Sequence, residues 1–116
     1  MRFLILFLFI TSCHAFAAEM PRTDYEHVAA STTGTLGPVG GAGDILERLI
    51  ISPSSLAIGT VAIQDGTLGM MTVVASTGTL NSLAPIVVPV GARSRNGAWK
   101  VVTPANATAI GVGRFQ

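Results

Sequence analysis

The feature that most limits the fold of this chain is a series of short apolar runs between residues 25 and 115, each bounded by glycine, serine, threonine or proline. The apolar residues are mostly valine, isoleucine, leucine and alanine. β-Branched residues favour strands because branching restricts χ1 in a helix but packs well on a pleated sheet. The chain therefore predicts an all-β fold, a single small β-sandwich or jelly-roll-like domain of about 6–8 strands.

Seven segments are predicted as strands, and one turn between them stands out. Asp65-Gly66 followed by Gly69 supplies the positive-φ positions that a hairpin needs, so the strands on either side should pair. Pro89 lies within an apolar run, which predicts an edge strand or a bulge. The predicted strands are residues 25–29, 45–52, 56–64, 70–75, 85–90, 99–103 and 109–115.

Two segments are open to more than one interpretation. Residues 44–50 have an acidic cap candidate, Asp44, and helical spacing of apolar residues, yet the run is short and continues into 51–53, so we favour a strand. Residues 34–43 are rich in glycine and superficially resemble a nucleotide-binding loop. They lack a surrounding βαβ unit and a closing Lys-Ser/Thr, so we expect a connecting loop.

The first 17 residues predict a signal peptide followed by a domain at residues 18–116. Arg2 precedes an apolar run at residues 3–10, and Ala15-Phe16-Ala17 forms a cleavage site before Ala18. The run is too short to span a bilayer, which takes roughly 20 apolar residues. Two alternatives remain: a lipobox ending at Cys13, which would anchor the chain by lipid, and a translation start at Met20.

Composition excludes several functional classes. The 116 residues carry seven Lys+Arg and six Asp+Glu, a formal charge of +1, which is too little basic charge for a nucleic-acid-binding face. Cys13 is the single cysteine, so a disulfide-stapled domain is excluded. The hydrophobic content of 49% argues against intrinsic disorder.

The residues that could carry chemistry are few, and we expect no catalytic residue, cofactor or metal site. His27 is the single histidine of residues 18–116. In a strand, Glu26 and His27 would point to opposite faces, while Asp24 and Glu26 would share one face. Such a pair of acids is more typical of a solvated edge than of a functional site. No Gly-x-Ser-x-Gly nucleophile motif is present.

The other candidates have simpler structural interpretations. Asp44, Glu47 and Asp65 lack calcium-loop spacing. Arg93 and Arg95 could bind a phosphate or a carboxylate but are predicted to lie at a solvated turn with Asn96-Gly97 at its tip. Trp99 is expected in the core rather than on a ligand platform. The glycosylation pattern Asn106-Ala107-Thr108 is assigned no role.

From residue 25 onward the chain resembles a group of small virion-associated proteins of tailed bacteriophages. The resemblance covers essentially the whole domain and depends on the order of patterns rather than on a catalytic signature. It implies a compact β-sandwich used for capsid decoration or cement, often as a homo-oligomer, and brings no active-site residues. The matching segments are YEHVAAST (25–32), LGPVGGAGD (36–44), LERLII (46–51), VAIQDG (61–66), RSRNGAWKVVT (93–103) and GVGRF (111–115).

These observations lead to a non-enzymatic structural virion protein that binds like subunits, with the major capsid protein or a cell-surface receptor as a further partner. A domain of this size buries only about two-thirds of its extended-chain surface, and its many aliphatic residues suggest that assembly covers exposed strands. One alternative is an exported envelope protein of phage or prophage origin that masks receptors. Another is a carbohydrate-binding module. We expect no nucleic-acid partner, and membrane contact only through the signal peptide or a lipidated Cys13.

Overall fold

The computed structural model describes residues 23–38, 41–76 and 79–116. The predicted signal peptide, Cys13 and Met20 lie outside the described residues. The described residues form eight β-strands and no helix. The strands are β1 Asp24–Val28, β2 Thr33–Thr35, β3 Ile45–Pro53, β4 Val61–Asp65, β5 Met71–Val74, β6 Ile86–Arg93, β7 Trp99–Val102 and β8 Ala107–Arg114.

The strands form two antiparallel four-stranded sheets. Sheet A has the order β1-β8-β3-β6, and sheet B has the order β2-β7-β4-β5. The pairs β4–β5, β3–β6, β2–β7 and β1–β8 are nested around the turn after Asp65, so the chain behaves as one long hairpin wrapped around a core. Two Greek keys of eight strands in this order make a jelly roll.

The long hairpin stays paired where it crosses from one sheet to the other. At one crossing, Gly43 N donates to Ser94 O at 3.0 Å and Ser94 N donates to Asp44 O at 2.8 Å. At another, Ser31 N donates to Pro104 O at 2.9 Å. These bonds satisfy backbone groups that a loop between two sheets would otherwise leave unpaired.

The core lies between the inner faces of the two sheets. Residues of the strands alternate between the inner and the outer side. In β3 a register shift between Leu46 and Arg48 resets this alternation, so that Leu46 and Leu49 both point inward. Gly34 and Gly111 let apolar side chains approach closely, since a Cβ at Gly34 would lie 2.9 Å from Val28 and one at Gly111 would lie 2.8 Å from Leu36. The fully buried apolar residues include Leu36, Leu46, Leu49, Ile51, Val61 and Val101.

The all-β prediction is confirmed, and each of the seven predicted strands corresponds to an observed one. The hairpin at Asp65-Gly66 joins β4 to β5. Of the ambiguous segment 44–50, residues 45–50 belong to strand β3 and none is helical, and Pro89 lies in β6, at the edge of sheet A.

Two details of the prediction are wrong. The segment 34–43 is not a loop throughout, because Gly34 and Thr35 belong to β2, which pairs with β7. The predicted strand 56–64 begins only at Val61, since residues 54–60 cross between the sheets. In both places the strand extends only over residues whose backbone pairs with a neighbouring strand, whatever their apolar pattern.

Candidate interaction surface

The solvent side of sheet A, which we name the A face, follows from the register of its strands. Leu46, Leu49 and Ile51 of β3 point inward, so the residues between them point outward, and directly paired residues share a face. Arg48 pairs with both Pro89 and Val112, and Ile50 pairs with both Val87 and Ile110. The outward positions therefore form continuous rows across the sheet.

The centre of the A face is apolar. Ile50 and Ile110 are half-buried at its middle, and Val87, on the edge strand β6, is 56% exposed. Tyr25 of β1 pairs with Val112 and is 74% exposed. Strands that are apolar on both faces are typical of sheets covered on both sides.

Three exposed arginines surround one end of this apolar centre. Arg93 and Arg114 both pair with Ile45, from its two sides, and Arg48 lies in the next row. Glu47 Oε2 lies 3.9 Å from Arg114 Nε, in a partly exposed ion pair. The A face thus combines an apolar centre with positive charge at one end.

The solvent side of sheet B, which we name the B face, is different. Val101 points into the core, so its neighbours Lys100 and Val102 point outward, together with the residues that pair with them. Threonines dominate the exposed positions of this face: Thr33 and Thr35 on β2, and Thr72 on β5. Hydroxyl and amide groups on the B face are suited to contact with water.

Asp65, at the end of β4, ties the hairpin to the crossing between β6 and β7. Its carboxylate accepts hydrogen bonds from Arg95 N at 2.9 Å and from Asn96 N at 3.0 Å. Burial raises the pKa of this carboxyl, but the backbone donors of Arg95 and Asn96, then the Asn96 side chain and the Arg95 charge, outweigh burial and hold the pKa below its ordinary value of 3.8. Asp65 therefore has a structural role.

Asp44 and Trp99 interact at the same end of the sandwich. Trp99 is 3% exposed, as predicted for a core residue, and its Nε1 donates to Asp44 O at 3.1 Å. The Asp44 side chain is buried: Oδ1 accepts from Gln116 N at 3.1 Å, and Oδ2 has no hydrogen-bond partner within the described part of the chain. Trp99 offers no surface on which a ligand could stack.

The acidic residues of β1 are placed differently from the expectation of a solvated edge. Asp24 and Glu26 do share a face, but it is the inner one, and both are half-buried. Glu26 Oε2 accepts a hydrogen bond from Gly37 N. His27 points to the opposite side, onto the A face, so Glu26 and His27 do not act on one group.

The structure does not bring the predicted metal candidates together. Asp44 is buried in the sandwich, and Glu47 lies on the A face. Asp65 accepts hydrogen bonds from the connection between β6 and β7. Across residues 23–38, 41–76 and 79–116, no three histidine, cysteine, aspartate or glutamate side chains form a group able to hold a metal ion. Of the predicted arginine pair, Arg93 ends β6 on the A face, and Arg95 lies in the turn beyond it.

Sequence reasoning weighed His27, Glu47 and Arg93 singly but identified none of the apolar residues of the A face as a candidate, although the signal was present. The run Leu46-Glu47-Arg48-Leu49-Ile50-Ile51 has apolar residues at both odd and even positions, which is the pattern of a strand covered on both faces. Nothing in that pattern indicates which side meets the core.

Among the described residues, none belongs to a helix long and apolar enough to cross a bilayer. Comparison of the chain with protein-family models, with curated proteins and with solved structures finds no match.

Proposed function

We propose that this chain is a non-enzymatic structural protein that works by binding other protein surfaces, foremost other copies of itself, as a decoration or cement component of a tailed-phage virion. The observation that carries the proposal is the A face. Its apolar residues contribute little to the core of the single chain, and leaving Tyr25 and Val87 in water costs free energy that an assembly recovers.

The size of the A face is sufficient for a weak interface between two copies. Four strands about 4.8 Å apart, each contributing up to eight residues at about 3.3 Å, give a flat area of roughly 500 Å². Two copies would bury about 1,000 Å², the lower limit for a specific interface. Larger assemblies could add the free edge of β6.

The charge distribution also permits pairing of like subunits. Arg93 and Arg114 lie at one end of the face, and the paired residues Ser52 and Thr108 lie at the other. A two-fold axis across the strands would place each arginine end over the hydroxyl end of the second copy. Like charges then stay apart, which favours this arrangement over one with the strands in the same direction.

The fold gives independent support by analogy. Jelly rolls recur in viral capsid proteins, lectins and cupins. A cupin-like metal centre has no counterpart among the described residues, and Trp99, the aromatic residue weighed for a lectin-like site, is buried. Analogy of fold does not establish function, but it agrees with the resemblance to virion proteins.

The predicted signal peptide supports a second candidate, an envelope protein of phage or prophage origin that uses the A face to mask a cell-surface receptor. The two candidates differ in location. Mass spectrometry of the native N-terminus and cell fractionation separate them: a chain starting at Ala18 or at lipidated Cys13 in the envelope supports the receptor-masking protein. A chain starting at Met20 and recovered in virions supports the capsid role.

Sedimentation velocity of the full chain across the micromolar range tests the assembly. We expect concentration-dependent oligomers, and we expect Val87→Lys to weaken them because it places a charge at the apolar centre. The matched control is Thr72→Lys on the B face, an exposed strand position that should leave the oligomers unchanged. A chain that stays monomeric and binds no capsid, or equal effects of both variants, would contradict the proposal.

A further inference from the structure

Asn96 and Gly97 lie in the connection between β6 and β7, where the chain crosses from sheet A to sheet B. The chain has three asparagines, at positions 81, 96 and 106, and Asn96 is the one followed by glycine. Glycine has no Cβ to shield its own amide nitrogen or to restrict its backbone. The amide nitrogen of Gly97 is therefore the only one of the three that follows an asparagine and has no side chain of its own residue to shield it.

The side-chain contacts also distinguish Asn96 from Asn106. Asn106 is held at both ends of its amide: Oδ1 accepts from Gly59 N at 3.2 Å, and Nδ2 donates to Ala57 O. Asn96 is exposed, and the contact of its Nδ2 with Asp65 Oδ2 is 3.4 Å, long for a hydrogen bond. The Asn96 side chain is thus the less restrained of the two.

We propose that Asn96 is a site of spontaneous deamidation, and that the product loosens the joint between the two sheets. Hydroxide removes the amide proton of Gly97, and the nitrogen lone pair forms a bond to Asn96 Cγ. The bond from Cγ to the side-chain nitrogen breaks, and that nitrogen takes a proton from water and leaves as ammonia. Water then opens the cyclic imide at either carbonyl, giving aspartate or isoaspartate.

The product acts through Asp65. The amide that now lies 3.4 Å from Asp65 Oδ2 becomes a carboxylate, and the two neighbouring negative charges repel each other. Isoaspartate also adds a methylene to the main chain beside the N–H groups of Arg95 and Asn96 that Asp65 accepts from. Either product weakens the hydrogen bonds that join the β4–β5 hairpin to the connection between β6 and β7.

The test is to incubate the full chain in neutral and in mildly alkaline buffer and to follow each asparagine by peptide mapping with mass spectrometry. We expect Asn96 to convert several times faster than Asn81, with a rate that rises with pH and with both products present. Asn81 is the internal control because it too is exposed but precedes Ser82. The separated modified chain should have a lower Tm than the unmodified chain.

Two variants complete the test. Asn96→Asp introduces the charge alone and should lower the Tm, while Asn96→Gln should keep the Tm and stop the conversion. The proposal is overturned if Asn81 converts as fast as Asn96, if the rate does not rise with pH, or if the modified chain melts with the unmodified one. The rate comparison uses the natural sequence and does not depend on either variant folding.

Discussion

The A face and the B face differ in composition although both belong to four-stranded antiparallel sheets of one sandwich. Exposed threonines and Lys100 occupy the B face, around the outward Val102 and Ala62. Tyr25, Val87 and the half-buried isoleucines occupy the A face, with arginines at one end. Because outward residues are not needed to fill the core, this difference supports the proposal that the A face takes part in assembly.

The largest expected effect is the difference in stability loss between an inward and an outward residue of β3. Leu49 is 0% exposed, so Leu49→Ala should cost about 2–5 kcal/mol in the free energy of unfolding. Ile50, the next residue, points outward, and Ile50→Ala should cost about 1 kcal/mol in the monomer. Urea unfolding at low protein concentration measures both, and equal losses would mean that the A face is already covered within one chain.

A change at Asp65 tests whether the end of sheet B depends on a buried carboxylate. Asp65→Asn should cost about 1.5–3 kcal/mol at neutral pH because the charged acceptor of two backbone donors is lost. Since the folded-state pKa is lowered, this stabilisation is present above pH 3.8 and is lost as the pH falls through the folded pKa.

Urea unfolding as a function of pH checks the assignment of Asp65. Asp65→Asn should be less sensitive to acid than the natural chain, whereas Glu47→Gln on the A face should keep the natural acid dependence. If Asp65→Asn lost as much stability in acid as the natural chain does, the loss would come from other carboxyl groups.

Making the A face resemble the B face should weaken its self-association. Val87→Thr keeps the β-branched shape and the strand propensity, yet it should weaken self-association by about tenfold, equivalent to about 1.4 kcal/mol. The reverse change on the B face, Thr35→Val, should leave association as it is. Sedimentation equilibrium measures the Kd of each variant, and a stronger effect of Thr35→Val than of Val87→Thr would reverse the assignment of the faces.

The smallest effect is expected at the ion pair of the A face. Glu47→Gln should change the free energy of unfolding by less than about 0.5 kcal/mol, since the pair with Arg114 is partly exposed and its atoms are 3.9 Å apart. Adding salt should remove even that difference. A loss above about 1 kcal/mol in urea unfolding would mean that the pair is shielded from water.

Local signals identified most of the strands, and the exceptions have a physical reason. Asp65-Gly66 specified its hairpin because only a few turn types join two antiparallel strands so closely. Strand β2 was missed because Thr33, Gly34 and Thr35 carry no apolar pattern, and their conformation depends on pairing with β7. Leu56 was assigned to a strand on apolar character, yet it lies in the crossing between β3 and β4, where its carbonyl oxygen accepts from Leu80 N of the connection between β5 and β6.

The candidate surface could be predicted less well than the strands. Outward Ile50 and inward Ile51 are chemically alike, so the sequence of β3 does not say which belongs to the core. Asp65 was weighed as a metal ligand, and only the turn packed against it reveals that its oxygens are occupied by Arg95 and Asn96. Both assignments depend on residues far away in the chain.

The sequence by itself determined an all-β chain, the turn at its centre and the restriction of Pro89 to an edge strand or a bulge, because these follow from backbone geometry over a few residues. The tertiary structure alone decided that the long hairpin wraps into a jelly roll, that β2 exists, and which side of sheet A remains outside. These outcomes arise from contacts between residues distant in sequence, such as Arg114 with Ile45, whose pairing is set by the packing of the whole core.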